Sequence, residues 1–60
     1  MNLHIGDLVA VSPDATGVGR WTSGVITKIE LFAGTYYYNV SYVDEQGGIV
    51  VSNVRLLEKK

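Results

Sequence analysis

Sixty residues, 47% of them hydrophobic, with a formal net charge of −1, describe one small globular domain and argue against disorder or a strongly basic surface. Cys is absent and His4 is the single histidine, so disulfides, thiolate metal sites and multi-histidine centres within one chain are excluded. A core this small rarely supplies more than ~3–5 kcal/mol, so the chain needs efficient packing or help from self-association.

No apolar run approaches the ~20 residues that span a bilayer. Residues 1–7 show no basic segment followed by a long apolar one, as a secretory leader would. The expectation is a cytoplasmic protein with no membrane partner. Nowhere does helical periodicity persist. Short β-rich runs alternate with turn signals, the pattern of a small sandwich or barrel.

The first run is residues 8–12, entered through Gly6-Asp7, with Val9 and Val11 as its core positions. Asp7 is expected to cap or turn the chain there. Leu3 and Ile5 should cover one open end of the fold, and His4 between them should face outward. Residues 13–20 hold Pro13, Gly17 and Gly19 and read as a long surface loop. Gly17-x-Gly19 lacks the later glycine and following helix of a phosphate cradle.

The second run is 21–32. Val25, Thr27, Ile29 and Leu31 are expected inside, because Lys28 and Glu30 centre the other face. Gly24 offers a kink or a close approach of another strand. Ala33-Gly34 makes a tight turn. The third run, 35–43, carries every tyrosine. Tyr36, Tyr38, Val40 and Tyr42 alternate with Tyr37, Asn39, Ser41 and Val43, so the first set is assigned to the core side and Tyr37 to the outside. Residues 44–48 suit a type I turn closed by a glycine in the left-handed region. Residues 49–52 pair back, 52–54 form a short turn of 3₁₀ character, and 55–58 make the last strand. Lys59 and Lys60 are expected to fray. The sum is an all-β fold of five strands, one domain over 1–60, with a 3₁₀ turn before the last strand.

Gly6-Asp7-x-Val9-x-Val11, Trp21-x-x-Gly24-x-Ile26-x-x-Ile29, Tyr38-x-Val40-x-Tyr42-x-Asp44 and Val54-x-x-Leu57 together resemble the SH3-like small barrels, nearest the Tudor-type domains. The resemblance covers about residues 5–58. It implies a strongly bent antiparallel barrel. Tudor-type domains hold methylated lysine or arginine in a cage of aromatic rings, by attraction of a cation to ring faces. Trp21 and Tyr42 match two cage positions. Ser12, and Glu45 or Gln46, stand where the other rings would be, and Asp44 would add charge at the rim. The framework is also similar to the plasmid-encoded type II dihydrofolate reductases, through Trp21-x-x-Gly24-x-Ile26, Gly48 and Val54-x-x-Leu57-Glu58. That family's catalytic Val-Gln-Ile-Tyr strand is replaced here by Ile49-Val50-Val51-Ser52. What carries over is barrel-to-barrel association around a shared centre. The small stromal subunit of photosystem I has a similar start and a similar Tyr-x-Val third strand.

The catalytic inventory is thin. Asp14 lies in a loop, Asp44 and Glu45 are neighbours in a turn, and no serine has a His–carboxylate relay. No enzyme activity, cofactor or metal is expected. The reading is a non-catalytic binding module for a protein or peptide, with Arg20, Trp21, Tyr37, Tyr42 and Asp44 as site residues. Trp, Tyr and Arg dominate binding energy at interfaces. Two alternatives share the same residues. One is single-stranded nucleic-acid binding, with Trp21, Tyr37 and Tyr42 as stacking platforms beside Arg20, Lys28 and Arg55. The other is a self-associating homo-oligomer, structural or with a site at its interface.

Overall fold

Alternating β-branched and aromatic residues, cut by glycine turns, build a five-stranded sheet with little else. The computed structural model describes residues 3–60. The strands are β1 (Leu8–Val11), β2 (Thr22–Phe32), β3 (Thr35–Tyr42), β4 (Gly48–Val51) and β5 (Leu57–Lys59). All pairings are antiparallel, in the order β4-β3-β2-β1-β5, and β4 and β5 are the two edges. A 3₁₀ turn, Val54–Leu56, precedes β5, and Asn53 caps it by accepting the Arg55 N–H at 3.0 Å. Met1 and Asn2, part of the leader reading, lie outside the described residues.

Residues 13–20 are not all loop. Pro13–Thr16 forms one helical turn, α1. Ser12 is its N-cap, accepting the Asp14 N–H at 3.1 Å, with Pro13 in the first turn and Gly17 ending it in the left-handed region. The chain end is not frayed either. Lys59 pairs with Val9 inside β5, and the Lys60 N–H donates to the Leu8 carbonyl at 2.9 Å.

The core joins side chains from every strand: Val9 and Val11, Ile26, Val40, Val51 and Leu57, with Leu3 closing one end. Ile5 does not share that role; it is exposed. On β2 the inward residues are Thr22, Gly24 and Ile26, so Val25 and Thr27 are not the core set expected above. A β-bulge between Ile26 and Lys28 then sets two residues, Thr27 and Lys28, against Asn39. Beyond it the parity reverses, and Ile29 returns to the core side beside Tyr38. Leu31 and Tyr36 continue that side but overhang the core and are exposed, which corrects their assignment to the interior.

Gly24 sits where β3 comes closest. A Cβ there would collide with the Val40 side chain and lie 2.8 Å from the Ser41 carbonyl oxygen. Gly24→Ala is therefore expected to destabilise by about 1–3 kcal/mol, as overpacking does. Gly19→Ala, with open space around it, should leave the urea midpoint within error. Equal midpoints for the two variants would contradict the close approach.

Asp7 does turn the chain into β1. Its Oδ2 accepts the His4 N–H at 2.8 Å and lies 3.6 Å from Lys59 Nζ and 3.7 Å from His4 Nδ1. The His4 N–H, with the Lys59 charge behind it, holds the carboxyl below its ordinary 3.8. A depressed carboxylate stabilises the fold above the unfolded-state pKa and ceases to as pH falls through the folded one. Asp7→Asn should be less stable than the parent at pH 7, with the gap closing in thermal melts below about pH 4. A gap that persists in acid would assign the loss to something other than ionisation.

Candidate binding surface

Two clusters of exposed side chains flank the sheet. The first surrounds the entrance to β2. Arg20 Nη2 donates to Glu45 Oε2 at 3.0 Å, tying the 17–21 segment to the β3–β4 turn. The Val43 N–H donates to the Ser23 carbonyl at 3.1 Å, extending the β2–β3 ladder into that turn. Trp21, 45% exposed, precedes β2 by one residue, and Asp44 is exposed in the turn. Tyr42 is half-buried and pairs with Gly24 on the inward side. Position 21 carries the opposite parity, that of Ser23 and Val25. Arg20, Trp21 and Asp44 are thus gathered at one end of the sheet, with Tyr42 close in register but on the other side.

The second cluster lies at the far end of the β2–β3 hairpin. Phe32 is 72% exposed, Leu31 61% and Tyr36 53%, whereas Tyr37, on the outward side, is half-buried. The register pairs Leu31 with Tyr36 and Glu30 with Tyr37, so apolar side chains project from both faces of the hairpin. Glu30, Leu31, Phe32, Tyr37 and Val50 line an open groove of about 370 Å³. Tyr37 belongs here and not with Trp21. It lies five residues from Tyr42 along β3, about 17 Å, and on the opposite face. Beside this groove is a second depression of about 310 Å³, on the outward face over Gly47 and Gly48, bordered by Thr27, Asn39, Ser41 and Val50. Thr27 Oγ1 donates to the Asn39 carbonyl at 3.3 Å, whereas Asn39 Nδ2 is buried without a partner.

Sequence reasoning placed Leu31 and Tyr36 inside and so missed them as surface residues. The signal was present: Leu31-Phe32 and Tyr36-Tyr37 flank a two-residue turn, and adjacent strand residues cannot both be buried under a one-sided sheet.

The charges are mostly paired. Arg20, Lys28 and Lys59 lie against Glu45, Glu30 and Asp7 at 3.0, 3.3 and 3.6 Å. Lys60 Nζ donates to Ser23 Oγ. Among the described residues no three His, Asp or Glu side chains gather as metal ligands, and no helix is long and apolar enough to cross a membrane. No protein-family model, curated protein or solved structure matches the chain.

The hairpin carries local strain at its tip. Ala33 has φ 51° and Gly34 φ 81°, a two-residue turn with both φ angles positive. Only Ala33 suffers from this, since its Cβ disfavours the left-handed region by roughly 1–2 kcal/mol. Ala33→Asn, which tolerates that conformation, should raise stability by about 1 kcal/mol, or ~4–8 °C in the thermal midpoint. An unchanged or lower midpoint would show that the turn is not held in this conformation.

Proposed function

We propose that the chain is a non-catalytic binding module of the SH3-like barrel type, and that it recognises a protein partner through the apolar β2–β3 hairpin. The order β4-β3-β2-β1-β5, with a 3₁₀ turn leading into the last strand, supports the fold assignment. The observation that carries the site is the open groove in which exposed Leu31, Phe32 and Val50 meet half-buried Tyr37. Contiguous apolar surface of this kind marks interaction sites, whereas single exposed apolar residues are ordinary.

The patch favours an apolar segment over a charged ligand. Lys28 and Glu30 neutralise each other at its border, 3.3 Å apart. Three of the five Lys and Arg side chains are paired with carboxylates, so the sheet offers no cationic track for phosphates. The Trp21–Arg20 cluster is the secondary contact in this reading. Its arginine is engaged with Glu45, and Tyr42 does not present its ring on the same side.

Selection of peptides from a random library provides the test. Bound sequences should be rich in aliphatic and aromatic residues, with affinity nearly independent of salt between 50 and 500 mM, roughly, because screening acts on charges. Phe32→Ser with Leu31→Ser should weaken binding at least tenfold, about 1.4 kcal/mol, at an unchanged thermal midpoint. Loss of binding on Trp21→Ser, and not on the hairpin change, would move the site to the other end. Oligonucleotide binding that strengthens at low salt would replace the reading altogether.

A further inference from the structure

β4 is an open edge of the sheet. It bonds to β3 alone, and its sequence Gly48-Ile49-Val50-Val51 has no charge and no proline. Edge strands ordinarily carry such devices because open N–H and C=O groups template pairing with another chain. Which groups are open follows from the ladder. The Tyr42 N–H donates to the Gly47 carbonyl at 3.0 Å, whereas Val43, one residue on, donates to Ser23 in the opposite direction. Even-numbered residues of β3 therefore bond toward β4, pairing Val40 with Ile49 and Tyr38 with Val51. Gly48 and Val50 alternate with these, so their N–H and C=O groups point out of the edge.

The outward face of the same strand carries a knob and a hole. Val50 is 56% exposed, and the depression of about 310 Å³ lies over Gly47 and Gly48. Knob and hole are two residues apart on one strand. An antiparallel partner strand with its two-fold axis at Ile49 would set Gly48 opposite Val50 of the second copy, and Val50 opposite its Gly48. Each would be a pair exchanging two backbone hydrogen bonds. Paired residues share a face, so each Val50 would enter the depression over the other copy's Gly48. A two-fold contact requires this kind of self-complementarity. No charge lies on the strand to oppose the approach, and the chain's net charge is only −1.

We infer that the protein forms a two-fold dimer by antiparallel β4–β4 pairing centred on Ile49, joining the two sheets into one and seating each Val50 over the other copy's Gly48. The dimer shares Val50 with the hairpin groove but leaves Phe32 and Tyr36 exposed.

Sedimentation equilibrium across micromolar to millimolar protein, with amide exchange followed by NMR, tests it. The expected species grows from 6.5 kDa to twice that mass. The Gly48 and Val50 amides should become protected as concentration rises, while Ile49 and Val51, already bonded to β3, change little. Val50→Lys should hold the protein monomeric at the thermal midpoint of the dilute, monomeric parent, and Phe32→Ser should dimerise like the parent. A monomer at every concentration would overturn the inference. So would a dimer that survives Val50→Lys, or one whose formation leaves the Gly48 and Val50 amides unprotected.

Discussion

Val9, Val11, Ile26, Val40, Val51 and Leu57 come from five different strands, yet they form one buried cluster with no second sheet above it. Neighbouring strands lie ~4.8 Å apart, so in a flat sheet β4 and β5 would be about 19 Å from each other. The sheet must curl for Val51 and Leu57 to share a core. The single turn α1 is far too small to act as a covering layer, although Ala15 packs against the cluster. Curvature is therefore the constraint on which the rest depends, and β2 supplies it in two places. At Gly24 the missing side chain lets Val40 fold over the strand. At Thr27 the bulge adds a residue and increases the local twist.

Those devices explain which parts of the fold were legible in the sequence. β1 and β3 alternate without interruption, so Val9, Val11, Tyr38 and Val40 were readable as inward positions. The Gly47 turn and the 3₁₀ turn announced themselves through residue type. β2 did not, because its parity changes halfway. Lys28 and Glu30 correctly mark the outward face beyond the bulge, and Ile29 follows from them. Extrapolating that phase backward assigns Val25 to the core in place of Ile26. A bulge at an ordinary threonine leaves no compositional trace. The helical turn was a different kind of miss: Ser12-Pro13-Asp14 and Gly17 are start and stop signals, overlooked because the segment is too short for periodicity.

The candidate site was legible only in part, for the same reason. Aromatic identity picked out Trp21, Tyr37 and Tyr42, but a site needs a shared face and a short distance. Tyr37 and Tyr42 fail both conditions. Trp21 and Arg20 meet the β3–β4 turn through Glu45, a long-range contact that no local pattern encodes. The hairpin patch depends on where the core ends. Leu31 and Tyr36 have inward parity, and only their position two residues beyond Ile29 and Tyr38 leaves them uncovered.

A chain that is 47% hydrophobic buries only seven hydrophobic residues as its core, while ten large ones stay exposed among the described residues. Exposed apolar area contributes little to a fold whose core is already small. The distribution is also uneven. Leu31, Phe32, Tyr36 and Val50 gather at the end of the sheet away from the paired charges of Arg20, Asp7, Glu45 and Lys59. Curling brings Val9, Val11, Ile26, Val40, Val51 and Leu57 into one cluster, and it leaves the far half of the hairpin and the outward face of β4 outside it. The apolar composition that reads in sequence as generous core material is thus divided by one bend. One part holds the domain together, and the other stays exposed.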